Sequence, residues 1–480
     1  MLKLIAPFRV YFNLDSSRIA TEPEQFTQFL KQVREEVQNP QGALKGRMHS
    51  ALAVEINIPP EPQQDEIDAR YTSLNTNGSL YLSQRIFTLR FKPSEAGDIE
   101  KIYNEALAHA DEKTAPYSRN FIPDINAIRI DFYDNTIAIL SLELVIDVAH
   151  MRKGEHIWDR LDKWTTVLVY HLFRGLYQSH IFPLLLGLSK FSAKHGGFIR
   201  DISQYTVFAD LAHSATEPYR NLDTRFRLMW VNRTLFYTGQ FSVNNWIKPL
   251  MENKATAVKI REAELYLHQG NNIAIMPAEM EQKHLDVLWD VMLSAQYYYA
   301  AMDVVNVNLV RYIGTTFNSK SSRFLNNIGG DMEDIINSIT LLQMNYNDMV
   351  MDLQGASQEL FQTLEKAWKF DKLVRNVERK MALCKANIAV LTQETGERSR
   401  LRTENILKGI AAVNLLFLIV ALSAYAALLP EQKQHMLGRI PGLMDLGFIM
   451  SSNALAWLGI ILIAVFAVMT HCRRNKKHEV

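Results

Sequence analysis

Two long runs without a charged residue constrain this chain more than any other feature. They are Gly409 to Leu429 (GIAAVNLLFLIVALSAYAALL) and Phe448 to Thr470 (FIMSSNALAWLGIILIAVFAVMT). At ~1.5 Å of rise per residue, a helix over either run covers roughly 30 Å, the thickness of a bilayer's hydrocarbon core. The expectation is a pair of transmembrane helices at 409–429 and 448–470, joined by a loop at 430–447 and followed by a basic tail at 471–480. A third apolar stretch, Trp164 to Leu188, reads differently. Arg174 lies in its middle and His171, His180 and Pro183 interrupt it, so it predicts a buried or amphipathic helix.

Flanking charge sets the expected topology. Arg398, Arg400, Arg402 and Lys408 precede the first run, and Arg473, Arg474, Lys476 and Lys477 follow the second. Positive residues stay inside, so both termini are expected in the cytoplasm of a multi-pass protein of the inner (plasma) membrane, with the loop facing outward. MLKLIAPFRVYFNL is too short an apolar run for a signal peptide and lacks a small-residue cleavage site. Only two cysteines occur, Cys384 and Cys472, which excludes a disulfide framework or a cysteine zinc site. A formal net charge of +1 gives no global basic field, so nucleic acid is not an expected partner.

The part before the spans predicts an α+β or α/β domain over 1–277, with a sub-domain boundary near 155 as an alternative. Leu4–Leu14, Ser50–Ile58 and Tyr81–Phe91 read as strands. Phe26, Phe29, Leu30, Val33 and Val37 recur at helical spacing over Pro23–Val37, and Asp98–Asp111 is a further helix candidate. Asn126–Tyr133 and Thr136–Val148 alternate across Asp134-Asn135, the best hairpin signal in the chain. Arg225–Trp230 and Thr234–Thr238 are expected to pair across Val231-Asn232-Arg233. Glu264–Leu267 and Ile273–Met276 are expected to pair across Gln269–Asn272. Whether this later group of strands completes the first sheet or forms another is open.

From 278 to 408 the pattern is helical. Glu279–Tyr312 carries Leu285, Leu288, Trp289 and Met292 at helical spacing, and Asn318–Arg323 is a polar break. Thereafter apolar residues step by three and four: Met332, Ile335, Ile339, Leu342, Tyr346, Met349, Leu353, then Leu360, Leu364, Ala367, then Val374, Val377, Met381, Cys384, Ile388, Leu391, Thr395. This is the seam of a coiled coil or bundle. It predicts a continuous helix from near Ser357 to Leu429, ~110 Å long. Such a helix needs neighbours, either copies gathered round a symmetry axis as a homo-oligomer or an antiparallel bundle within one chain. Met344, Met349 and Met351 are expected as core filler.

This layout resembles the CorA magnesium-transporter superfamily: a cytoplasmic α/β part, a very long stalk helix, two C-terminal spans, an outward loop and a basic end. The family's Gly-Met-Asn signature is absent. Its place after the first span reads Ala424-Tyr425-Ala426-Ala427-Leu428-Leu429-Pro430-Glu431, and Gln343-Met344-Asn345 is a chance match in the helical region. The resemblance implies a homopentamer with the first span lining a central pore and the second facing lipid. The missing signature removes the residues that the family uses to select hydrated magnesium. Divergent members also act as membrane effectors of antiviral CRISPR systems, switched by a nucleotide-type messenger. A divalent cation such as magnesium, or a nucleotide-type ligand, is therefore what the resemblance implies, and no cofactor is identified from the residues themselves.

Within the first span Asn414, Leu418, Ala421 and Tyr425 share a helical face. On a pore reading Asn414 coordinates a partly hydrated cation and Leu418 gates by dewetting. On the plainer reading Asn414 hydrogen-bonds a neighbouring helix and Tyr425 sits at the interface. Arg398, Arg402 and Lys408 crowd the cytoplasmic mouth, where they favour anions if they face the axis and meet anionic lipid if they do not. Glu431 and Asp445 lie in the outer loop, where they could gather cations. No Walker loop, dinucleotide fingerprint, HExxH or GxSxG elbow is present, and the scattered histidines have no zinc spacing, so no catalytic residue is assigned. The expectation is a homo-oligomeric ion channel or transporter gated by its cytoplasmic domain. The alternatives are a messenger-switched antiviral membrane effector and a non-conducting membrane sensor or scaffold.

Overall fold

The computed structural model describes residues 1–39, 42, 44, 52–56, 85–91, 104, 124–133, 135–146, 157–199, 227–238, 251–252, 256–260, 262–277, 282–318 and 322–427. The chain divides into two compact units, Met1–Ile388 and Ala389–Val480. The expected helix at Asp98–Asp111, the second apolar run and the outer loop with Glu431 and Asp445 lie outside the described residues, apart from one helical residue, Asn104.

The first unit is built on one ten-stranded sheet. Its strands are β1 (Leu2–Asn13), β2 (Leu52–Ile56), β3 (Arg85–Phe91), β4 (Asp124–Tyr133), β5 (Asn135–Val145), β6 (Arg227–Leu228), β7 (Asn232–Thr238), β8 (Ala257–Ile260), β9 (Ala263–Tyr266) and β10 (Asn271–Met276). The order across the sheet is β2-β3-β4-β5-β1-β7-β10-β9-β8, with β6 also on β1. Pairing is antiparallel except for β7 beside β10. Both strand groups read from the sequence therefore share one sheet across β1, and the class is α+β.

β1 is the middle of the molecule because both its faces are buried. Leu2, Leu4, Ala6, Phe8, Val10 and Phe12 enter one core, and Ile5 enters another. The period of two along a strand makes this division automatic. The first core is closed by α2 (Pro23–Gln38), α3 (Ile157–Leu176) and α4 (Phe182–Lys194), with the short α1 (Ser16–Thr21) leading in. Asp15 caps α1 by accepting from the Arg18 backbone N–H at 3.2 Å. All five apolar residues expected on α2 are buried.

The Trp164–Leu188 stretch belongs to this core: Trp164, Phe173, Tyr177 and Leu184 are buried, and Phe173 stacks on Phe8. Between α3 and α4 the helix widens to a π turn over Tyr177–Ile181, where the Phe182 N–H reaches back to the Tyr177 carbonyl. Pro183 follows with no N–H to give, so the ladder is adjusted rather than broken. Arg233 on β7 ties α3 to the sheet. Its Nε donates to Thr165 Oγ1 (2.6 Å), Nη1 to the Val231 carbonyl (2.7 Å), and Nη2 to the Asp162 carbonyl (2.6 Å) and Thr166 Oγ1 (2.7 Å). Nη1 also pairs with the Asp162 carboxylate at 2.5 Å.

Helices α5 (Gln282–Asn318), α6 (Ser322–Asp352), α7 (Gly355–Trp368) and the start of α8 (Phe370–Ala427) close the opposite core. The helical region thus shares the sheet's second core as far as Cys384. Ile339, Leu342, Leu360, Leu364, Val377 and Cys384 are buried there. From Ile339 to Cys384 these seam residues are covered by the chain's own elements.

Three local expectations change. Arg225–Trp230 and Thr234–Thr238 do not form a hairpin. Leu228 stands opposite Phe8 and Asn232 opposite Ile5, so the segment is one strand along β1 with an extra residue bulged out. The helix expected from Ser357 is broken at Lys369, which adopts a left-handed conformation (φ 56°, ψ 39°) and donates its N–H to the Glu365 and Lys366 carbonyls. In a straight helix Trp368 and Phe370 would point ~200° apart. The break lets both bury in one core, and α8 is 58 residues long, about 87 Å. Finally, Met344 and Met351 are exposed rather than core filler, with Met349 partly buried.

In the second unit the described residues, 389–427, are helical throughout. Its large apolar side chains, among them Leu401, Ile406, Ile410, Val413, Leu415 and Phe417, are exposed. Among the described residues no helix is long and apolar enough to cross a membrane. The last part of the first apolar run and all of the second lie outside the described side chains.

Candidate functional site

The alternation that fills the first core turns a set of polar residues of β3, β4 and β5 to the other face, beside Tyr133, Ile137 and Ile139 of the second core. Phe87, Leu89 and Phe91 face the core with Ile128, Ile130 and Phe132, so Thr88, Arg90, Arg129 and Asp131 point the other way. The register sets Thr88 opposite Asp131 and Arg90 opposite Arg129, and Arg129 in turn opposite Ser141 of β5. A register shift between Arg85 and Phe87 adds a residue at Ile86, which turns Arg85 onto the same polar face.

Asp131 is the centre of this group and is 0 % exposed. Its Oδ1 accepts from Thr88 Oγ1 at 2.6 Å and from Arg129 Nε at 2.9 Å. Arg85 lies over it more loosely, with Nε 3.7 Å from Oδ1 and Nη1 3.5 Å from Asp290 of α5. Asp131 Oδ2 and the buried Ser141 hydroxyl have no hydrogen-bond partner. Burial pushes the Asp131 carboxyl up from the ordinary range, opposed by the charge of Arg129 and by the hydrogen bonds from Arg129 and Thr88. Burial lowers the affinity of Arg129 for its proton, but Asp131 outweighs this and holds the guanidinium above its ordinary value. Tyr133, buried and stacked on Tyr297 at 4.2 Å, walls the group on one side. Burial and the neighbouring Asp131 hold its phenol well above the usual value.

Chemically this is a set of guanidinium donors arranged round one carboxylate whose second oxygen is unused. Lys3 and Glu143 continue the polar face toward β1 as a 2.5 Å ion pair, with the Lys3 ammonium 5.0 Å from the Trp289 ring centre. The sequence reading singled out none of these residues. The only trace was Arg129 and Asp131 two apart in an otherwise apolar hairpin, a pattern equally suited to a solvated strand face.

The residues expected at the membrane fall on α8. Asn414, Leu418, Ala421 and Tyr425 lie on one unbroken stretch of helix and share a face at that spacing. Asn414 and Leu418 are exposed, and the side chains of Ala421 and Tyr425 are outside the described ones. Arg398, Arg402 and Lys408 are also on this helix, Arg402 exposed and the Arg398 side chain undescribed. Lys408 is held by Glu404 one turn earlier at 2.6 Å. Among the described residues no group of His, Cys, Asp and Glu could hold a metal ion. Cys384 is a buried free thiol, pushed up to about 11 by burial.

The chain matches no protein-family model, and comparison with curated proteins and with solved structures finds no similar protein.

Proposed function

We propose that this protein is a homo-oligomeric membrane channel or transporter of CorA-like layout, gated by its α+β body through α8. The observation that carries the reading is the continuity of this helix. It contributes Val377 and Cys384 to the core of the first unit and runs without interruption into the apolar segment from Gly409. In that segment Ile410, Val413, Leu415, Phe417 and Leu418 are exposed at positions spread round the helix, and such a surface calls for lipid or sister helices on every side. Because a helix resists bending, a shift of its base in the body is delivered to the membrane segment. Asn414 and Leu418 then stand where a pore constriction would be built.

A second reading, a membrane-anchored sensor whose spans only tether it, has one observation in its favour. The apolar seam is covered within the chain from Ile339 to Cys384, which leaves the segment after Ile388 to supply any contact round an axis. Reconstitution separates the two. Under the channel reading, liposomes containing the full chain pass Mg2+, K+ or Cl−, and Asn414→Leu changes the conductance or its selectivity. Liposomes sealed to all three ions, together with a monomer in detergent, refute the channel and leave the tether.

A further inference from the structure

The turn between α7 and α8 brings two carboxylates and a tyrosine together. Lys369 is the single left-handed residue between the two helices, so rotation about its backbone angles re-aims the base of α8 against α7. Phe370, the first residue of α8, is buried, with its ring 5.0 Å from that of Tyr346 on α6 and 5.8 Å from that of Tyr299 on α5. The same Tyr346 donates its hydroxyl to the half-buried Glu365 of α7. One side chain of α6 therefore touches both the acid of α7 and the aromatic plug of α8. Asp371 follows that plug directly. Its charge reaches Glu365 and, after burial, is what holds the Glu365 carboxyl up. Arg375, one turn on, pairs with Asp371. The other charged and titratable groups of the surrounding elements are engaged elsewhere or exposed. Tyr298 of α5 meets the Tyr346 ring edge-on and donates to the Asn345 carbonyl, and Asp303 of α5 faces Lys380. Asp348 of α6 lies ~200° round the helix from Tyr346. β8, which packs on α7, turns Val258 and Ile260 inward and leaves Lys259 exposed. Lys366, Lys369 and Lys372 are exposed.

We propose that Glu365, Tyr346 and Asp371 make the Lys369 turn a proton-operated hinge. With Glu365 protonated, the first turn of α8 stays docked, Phe370 against Tyr346. With Glu365 ionised, two like charges meet across the turn in a half-buried site. The balance then shifts toward a state in which Asp371 and Phe370 swing away and water reaches the carboxylate. The docked carboxyl is raised from 4.5 to about 7, and release returns it to the ordinary value. Docking therefore weakens as pH climbs between those two values and levels off above them.

The test is amide hydrogen exchange of the full-length protein in detergent, read by mass spectrometry on peptides spanning 366–375 and divided by the intrinsic rate at each pH. Protection of these amides should fall about tenfold between about pH 6 and about pH 8, the change in opening that this carboxyl imposes. At both values they should be far less protected than the amides of β5, because a hinge opens without unfolding the sheet. Glu365→Gln should remove the fall. Asp371→Asn, at an exposed side chain, should make it smaller, and decides the matter if Glu365→Gln does not fold. No fall in the wild-type protein, or a full fall in either variant, overturns the hinge. Protection equal to that of β5 also overturns it, since the turn would then open only with the whole body. The readout is local, so a protein that conducts nothing leaves the hinge standing; only its use as a gate rests on the channel reading.

Discussion

Replacing Arg233 with Ala tests the account of how α3 is held to the sheet. The side chain is 3 % exposed and pairs with Asp162, whose carboxylate is 51 % exposed. Its remaining donors are spent on Thr165, Thr166 and two backbone carbonyls. Burial lowers its proton affinity to about 10, so at neutral pH it is still charged. Deleting one partner of a buried ion pair costs about 3–5 kcal/mol, mostly through the group left behind. Here the group left behind reaches water, because Asp162 is half exposed, and Thr165 keeps a second bond to the Leu161 carbonyl at 2.6 Å. The lower end applies, about 3 kcal/mol. Arg233→Lys should recover only part of it, since one ammonium has three donors and no fork. The assay is thermal unfolding of the full chain in detergent, followed by tryptophan fluorescence, with Trp164 buried one residue from Thr165. A loss of that size lowers the midpoint by roughly 6–12 °C for a domain of a couple of hundred residues, less for a larger cooperative unit. A midpoint within about 1 °C of wild type, or full recovery by Lys, would refute the claim that this forked network anchors α3.

Two further outcomes follow from the turn at Lys369. Glu365 is raised to about 7, by burial and then by the nearby Asp371 carboxylate, and the Tyr346 hydroxyl donates to it. A carboxyl whose folded value lies above its unfolded value holds a proton that the unfolded chain has lost. Stability should therefore fall as pH rises from about 4.5 to about 7 and level off above that. Glu365→Gln should flatten this segment of a melting-temperature profile, and an unchanged slope would count against the assignment. Lys369→Gly should raise stability by about 1 kcal/mol, because a left-handed residue with a Cβ carries strain that glycine does not. A loss of stability in that variant would mean the lysine side chain, rather than the backbone, holds the turn.

Much of the local structure was legible in neighbouring residues. The β4–β5 hairpin, the β9–β10 hairpin and the buried face of α2 all follow from periodicities of two or 3.6 and from turn residues. The candidate site was not legible. Arg129 and Asp131 alternate with Ile128, Ile130 and Phe132 as any half-solvated strand would. Only the bulge at Ile86, the β3 and β5 neighbours and the placement of Asp290 turn them into a buried group with unused atoms. The same limit explains the segment from Arg227 to Leu235, where turn-like residues suggested a hairpin and β1 is instead the partner on both sides of the turn-like residues.

What the sequence alone determined is the chain's division of labour: a body able to bury a large core, a long helix, and two uncharged runs that water does not suit. It did so because hydrophobicity and helical period are properties of adjacent residues. Tertiary structure decided which strands share a sheet, that the heptad seam is covered from within between Ile339 and Cys384, and that the helix breaks at Lys369 so that Trp368 and Phe370 reach one core. Those outcomes depend on competition between distant partners for the same surface. A seam of apolar residues states that something must cover it, and only the fold shows what does.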